Sequence, residues 1–336
     1  MPNKLVYVYR GDSIESIHRG SAVISDVEGK VLYYIGDVEF YTFLRSAAKP
    51  FQVIPMIESG AARKYGFTSR EIAIMAGSHS GEEVHTKTIQ GILEKIGLSE
   101  KNLQCGVHIP HFYTVKGITP RPSDVFTPLQ NNCSGKHASM LAFSVFKSWD
   151  IENYLDFDHP AQKMILKSVA DVCHYPQEKI GRGIDGCGAP VFAMPLRNIA
   201  WGMAQLLSPN TVPREIAKVY STITLAMREN PEMISGEGRF DYELAKASGG
   251  KIISKSGAEG VQMFGIPDMR LGGAVKIEDG ATRAVRPATI EFLHQAGFLS
   301  EEAVADLEKF VSPEILSHHK KPVGRIRARF EINREF

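Results

Sequence analysis

The chain has 336 residues, enough to bury a large core. Its 39 basic and 38 acidic side chains leave a formal net charge of +1, so no global field draws it onto nucleic acid or an anionic membrane. Apolar content of 43% and charged content of 23% are those of an ordinary globular protein, no stretch is apolar for long enough to span a bilayer, and four cysteines (Cys105, Cys133, Cys173, Cys187) are too sparse for a disulfide scaffold. The first residues lack the zones of a secretion signal. The expectation is a cytoplasmic protein with reduced thiols, which counts against an enzyme of the cell wall.

Residues 5–9 and 31–35 are rich in β-branched and aromatic side chains and predict strands. Residues 17–24 predict a third, closed by the Glu28-Gly29 turn, which makes a short antiparallel meander. Arg45-Ser46-Ala47-Ala48-Lys49-Pro50 comes next. A proline is tolerated only near the first turn of a helix, so a helix begins close to Ser46. Ser46 and Lys49 then share one face. A serine hydroxyl at a helix start, with an amine one turn on, suits a Ser–Lys nucleophile: a neutral amine takes the hydroxyl proton, and the helix N-terminus favours the negative charge that develops. The same spacing recurs at Ser144/Lys147, Ser248/Lys251 and Ser317/Lys320, so spacing alone identifies nothing.

Thr68-Ser69-Arg70-Glu71 is a capping box that opens a helix over 71–76. The chain breaks at Gly77 and presents Ser78-His79-Ser80-Gly81. Ser80-Gly81-Glu82-Glu83 predicts a second capping box, with Ser80 as N-cap of a helix that stops at Gly97. Ser78 falls in the loop between the two helices, where a polar side chain can point into a cleft. Residues 104–130, rich in proline and glycine, predict a long loop. Helices are predicted over 138–148, 160–173, 190–207, 213–228 and 242–247. Between them lies the glycine loop Asp185-Gly186-Cys187-Gly188-Ala189-Pro190. Three strands follow near 251–255, 260–266 and 273–277, then helices over 287–295 and 301–310. The tail 325–333 alternates, with Ile326, Ala328, Phe330 and Ile332 on one face, and predicts a half-buried strand whose arginines are its wet side. Strands at both ends and helices between them predict an α+β fold, a single domain over 1–336. Its antiparallel sheet is built from N- and C-terminal strands and packed with helices, with a helical lobe beside it and the active site between the two.

Two groupings carry chemistry. Ser-x-x-Lys at 46–49, Ser78-His79-Ser80, and Lys255-Ser256-Gly257, the only Lys-Ser/Thr-Gly triplet in the chain, reproduce in order the signature of serine β-lactamases and penicillin-binding proteins. Cys133 and His137, four apart at a helix start, together with Cys187 could hold Zn²⁺, although paired Cys-x-x-Cys spacing is missing and the residues alone favour a buried thiol and a surface loop over a metal site.

Arg-Ser-Ala-Ala-Lys-Pro at 45–50, Ser-His-Ser-Gly-Glu at 78–82, Asn-Asn-Cys-Ser-Gly-Lys-His at 131–137, Asp-Gly-Cys-Gly-Ala-Pro at 185–190 and Lys-Ser-Gly-Ala-Glu-Gly at 255–260 resemble the rhizobial-type L-asparaginases, the asparaginase II or class 3 family. The resemblance runs from about residue 10 to about residue 330. It implies a serine-β-lactamase-like fold, a homodimer, and hydrolysis of L-asparagine to L-aspartate and ammonia. It implies Ser46, Lys49, Ser78 and Lys255 as catalytic residues and Cys133, Lys136 and Cys187 as zinc ligands near the active site. Lys136 thus replaces His137 as the nitrogen donor and must be neutral, which a nearby cation promotes. Crowding of Lys49, Lys136 and Lys255 is expected to depress lysine pKa values in the same way. For the amino-acid head of the substrate, Asp185 suits the ammonium and Arg45 the α-carboxylate, with His137 a third candidate. Two other readings stay open: another acyl-enzyme hydrolase on the same scaffold, such as a glutaminase, β-lactamase or D-alanyl peptidase, and a non-enzymatic module that binds an amino acid or zinc.

Overall fold

The computed structural model describes residues 2–335. The chain forms two compact units. The first comprises the described residues up to Ala47, Ala193–Leu207, and those from Glu243 onward; the second comprises Ala48–Phe192 and Ser208–Tyr242.

The first unit is organised on an antiparallel sheet. Asn3–Arg10 pairs with Ser13–Ser25 on one side and with Pro322–Ala328 on the other, with Val6 opposite Ala328 and Val8 opposite Ile326. Strands from the two ends of the chain are therefore neighbours in one sheet, as the placement of strands at both ends predicts. Ser13–Ser25 is long enough to serve several partners. Its first half pairs with Asn3–Arg10, and its second half pairs with both Val31–Ile35 and Leu271–Ile277. Val261–Ile266 and Ile253–Gly257 extend the sheet beyond Leu271–Ile277. Every residue of Leu271–Ile277 is buried, because helices cover the strand. Helix Leu196–Leu206 packs closest: a Cβ on Gly272 would lie 2.1 Å from the carbonyl of Ala200. Helix Thr282–Gln295 also packs on the sheet. The α+β expectation, with a sheet drawn from both ends of the chain, is met.

Two readings of the sequence are corrected. Residues 190–207 are not one helix, because Pro190–Pro195 is a strand and the helix starts at Leu196. Six consecutive buried residues carry no periodicity that separates strand from helix. The helix read over 287–295 begins at Thr282 and carries Pro287 inside it.

The second unit is helical. Thr68 caps Ser69–Ala76 as expected: its hydroxyl accepts from the N–H of Glu71, and its own N–H donates to the Glu71 carboxylate at 2.7 Å. From Glu71 onward this helix is buried on all sides, packed by Glu83–Lys95, Ser134–Phe146 and Arg214–Glu229. Ser134–Phe146 approaches so closely that a Cβ on Gly135 would lie 2.3 Å from the carbonyl of Ile74. This helix starts four residues before the predicted 138, so Lys136 and His137 sit in its first turn. Ser80 is not the N-cap of the following helix. The cap is Glu82, and the Ser80 hydroxyl donates to the Glu82 carboxylate at 2.8 Å. The left-handed Gly81 (φ 82°) extends the loop past the expected start.

Candidate active site

Ser46 lies in the one-turn 3₁₀ helix Arg45–Ala48, which runs directly into helix Lys49–Gln52 with Pro50 in its first turn. Arg45 enters that turn in the left-handed region, at φ 50°. Within the first unit, the Lys255-Ser256-Gly257 end of strand Ile253–Gly257 passes beside the same turn. A Cβ on Gly257 would lie 2.6 Å from the carbonyl of Leu44 and 3.4 Å from the nitrogen of Ala47, so the triplet's glycine is required by close approach. Lys255 is fully buried, and its amine donates to the Ser256 carbonyl at 2.7 Å. The Ser256 hydroxyl donates to Gln262 at 2.9 Å.

The second unit gathers Lys49, Ser78, Cys133, Lys136, Cys187 and His137. Lys49 is fully buried, and its Nζ lies 2.7 Å from the Gly77 carbonyl, 2.8 Å from the Ser78 hydroxyl and 3.0 Å from the Asn132 carbonyl. Burial pushes the Lys49 pKa down; the sulfur of Cys133 opposes this and the charge of Lys136 adds to it. Of these three partners only the Ser78 hydroxyl can both donate and accept. Both carbonyls can only accept. When Lys49 becomes neutral, its lone pair needs a donor, and the Ser78 hydroxyl can turn to supply one.

Cys133 and Cys187 are hydrogen-bonded to each other. That bond holds the Cys133 thiol well below its ordinary range, against burial and with help from the charges of Lys49 and Lys136. The same bond, then burial, pushes Cys187 up. Of the two sulfurs, Cys133 is the one whose ionised form is favoured. Lys136, also buried, donates from Nζ to the Cys187 sulfur at 3.1 Å. Its pKa is raised: burial lowers it, and the two sulfurs and Asp185 outweigh burial. The charged form of Lys136 is thus favoured beside the thiol pair, where crowding by other cations predicts a neutral amine. Two cysteine sulfurs and one lysine nitrogen converge here, a donor set that fits a soft cation such as Zn²⁺ once the thiols and Lys136 lose their protons. Among the described residues, no group of three or more His, Cys, Asp or Glu side chains converges on one point.

The Asp185 carboxylate accepts from the N–H of Gly186 at 2.8 Å and acts electrostatically on both Cys133 and Lys136. His137 donates or accepts at Nδ1 with the Tyr154 hydroxyl at 2.7 Å, while its buried Nε2 has no hydrogen-bond partner. Burial, then the charges of Lys136 and Lys49, hold its pKa well below the ordinary range.

Three residues of this cluster carry no sequence signal of their own. His79 accepts from the N–H of Gly81 at 3.2 Å through Nδ1 and so donates from Nε2 to Ser134 Oγ at 2.9 Å, which fixes the loop around Ser78. His108 donates from Nδ1 to its neighbour's carbonyl, Ile109 O, at 2.7 Å and accepts the N–H of Asn132 at 3.1 Å, steadying the carbonyl that binds Lys49. Arg239 donates to the Ser78 carbonyl. His79 lies inside the quoted Ser-His-Ser block, yet nothing in the block separates it from a surface histidine.

A buried amine bonded to a serine hydroxyl suits nucleophilic hydrolysis. The chain matches the family model of L-asparaginase II over residues 6–328 and belongs to that family of amidohydrolases, which act on a small-molecule substrate. No curated protein matches the chain. Among solved structures it is similar to a β-lactamase of Mycobacterium bovis, at 12% identity over 87% of this chain and 95% of that one, with a TM-score of 0.42; likeness at this level bears on neither substrate nor mechanism. Among the described residues, no helix is long and apolar enough to cross a membrane.

Proposed function

We propose that the chain hydrolyses L-asparagine to L-aspartate and ammonia through an acyl-enzyme on Ser46. The observation that carries the reading is the buried Lys49 amine, bonded at 2.8 Å to a serine hydroxyl and otherwise to carbonyls that cannot take its proton, in a chain of the L-asparaginase II family. Ser46 stands three residues before Lys49 and attacks the side-chain amide carbon, and Lys49 takes the hydroxyl proton. The tetrahedral adduct collapses, the C–N bond breaks, and the proton returns through Lys49 and Ser78 to the departing nitrogen, which leaves as ammonia. Water then cleaves the aspartyl ester, with the same groups accepting and returning one proton, and Ser46 is restored. Lys255 is the fourth catalytic residue and completes the Lys-Ser-Gly signature. Asp185 holds the substrate ammonium and Arg45 its α-carboxylate, with His137 a third candidate for the amino-acid head.

Cys133, Cys187 and a neutral Lys136 would hold Zn²⁺. When bound, the ion supplies a fixed positive charge that orients substrate, since a serine already provides the nucleophile. The cytoplasmic location and the homodimer are part of the same reading.

The test is ammonia release from L-asparagine, wild type beside Ser46→Ala. Activity in the first and none in the second supports the amidohydrolase and its nucleophile. Activity in both moves the nucleophile to Ser78. Activity in neither, with ammonia released from L-glutamine or a β-lactam opened, replaces the substrate.

A further inference from the structure

We infer that Arg239 is a positioning residue for the Ser78 hydroxyl; the inference rests on the reading of Ser78 as a proton-transfer group. Ser78 is gripped on both sides by one turn. Its N–H donates to the carbonyl of Ile234 at 2.6 Å, and its carbonyl accepts from Nη1 of Arg239. The same Nη1 donates to the carbonyl of Ser235 at 3.0 Å. One guanidinium nitrogen therefore ties the peptide after Ser78 to the turn that holds the peptide before it.

The turn is itself fixed. The N–H of Gly236 donates to Glu232 O at 2.8 Å, and the N–H of Tyr242 donates to the Ser235 hydroxyl at 3.1 Å. Two missing side chains let turn and loop meet. A Cβ on Gly77 would lie 2.4 Å from the carbonyl of Met233, and a Cβ on Gly236 would lie 2.3 Å from Ser80 Oγ. With both flanking peptides held, the Ser78 side chain keeps one free rotation, about χ1, and its oxygen stays 2.8 Å from the Lys49 amine. A hydrogen bond from a charged donor is about twice as strong as a neutral one, which suits a clamp that must survive turnover. The Arg239 charge also opposes protonation of the adjacent His79. Without the guanidinium, the 78–79 peptide loses its anchor and the hydroxyl wanders from the amine, at a cost to proton transfer and not to substrate binding.

The test compares kcat and KM for L-asparagine, with thermal midpoints, in the wild-type chain, Ser78→Ala, Arg239→Met and the double variant. Ser78→Ala should lose about 100-fold in kcat. Arg239→Met should lose about 10-fold in kcat with KM within about twofold, and should cost nothing further in the Ser78→Ala background, because a residue acting only through Ser78 has nothing left to position. Millimolar guanidinium should restore part of the Arg239→Met rate and none of the double variant's. Losses that multiply, or an effect on KM alone, overturn the assignment while leaving the role of Ser78 intact. A fully active Ser78→Ala, or a wild type inert on asparagine, overturns the functional reading and this inference with it. Should Arg239→Met fail to fold, Arg239→Lys replaces it; if that variant also fails to fold, the arginine holds the fold and the assignment falls.

Discussion

Replacing His79 with glutamine should flatten the acid side of the protein's stability profile. His79 is fully buried, its Nδ1 accepts from the N–H of Gly81, and its Nε2 hydrogen goes to Ser134 Oγ, so the ring is neutral and has no place for a second proton. Burial, then the charges of His85 and Lys49, hold its pKa well below the ordinary value. Below about pH 6.5 the unfolded chain takes up a proton that the folded chain refuses. The stabilisation is therefore complete above that pH and is lost as pH falls toward the depressed folded pKa. One such histidine costs about 1.4 kcal/mol per pH unit of acidification below 6.5. His85, buried and stacked on His79 with ring centroids 5.2 Å apart, is shifted in the same direction and adds a second contribution of similar sign. Glutamine cannot be protonated but loses the acceptor for the Gly81 N–H, so His79→Gln should be less stable at pH 7.5 by about 1–2 kcal/mol. That deficit should shrink by about 1.4 kcal/mol at pH 5.5. Urea unfolding followed by the fluorescence of Trp149, which lies in the same unit, measures both values. Stability curves for wild type and variant that run parallel between pH 5.5 and 8 would refute the reasoning.

Further outcomes follow from the same geometry. Lys49→Met should lower ammonia release by at least about 1,000-fold while circular dichroism keeps its wild-type shape, since methionine fills the volume and removes the amine bonded to Ser78; a variant with a tenth of wild-type activity would exclude Lys49 as the base. Gly135→Ala gains about 1 kcal/mol of helix propensity, but its Cβ would meet the Ile74 carbonyl at 2.3 Å. The clash should win, with a net loss of about 1–3 kcal/mol read as a lower thermal midpoint, and a stabilised variant would show that the two helices can part. Cys133→Ser should abolish zinc retention, measured by elemental analysis after dialysis against a stated zinc buffer, because it removes one of the two sulfur donors, the one whose ionised form is favoured. Zinc at wild-type stoichiometry in that variant would place the ion elsewhere.

Much of this protein was legible without coordinates. The β-branched and aromatic content of 5–9 and the alternation of the tail pointed to two strands, and Asn3–Arg10 and Pro322–Ala328 meet in one sheet as antiparallel neighbours, although the second ends at Ala328 and not at 333. Thr68 and Glu71 determined a helix start by filling each other's hydrogen bonds, a purely local transaction. Pro50 fixed where the Ser46–Lys49 turn could lie, and the five blocks in order pointed to the family that the chain belongs to. These signals share a cause: they act over a few residues, where backbone geometry and side-chain chemistry are written next to each other.

The tertiary structure decided what each reactive group does. The Lys49 amine finds its acceptors 28, 29 and 83 positions away, and Arg239 reaches Ser78 across 161. The charge of Lys136 turns on two sulfurs in contact, and spacing says nothing of whether a buried lysine faces cations or a thiolate. Residues 190–195 read as helix because a fully buried strand has no polar face to reveal its period. Local sequence specifies which group is present and how its own turn is built. Its protonation state and its partner depend on dielectric and on charges brought in from distant segments, and those exist only once the chain has folded.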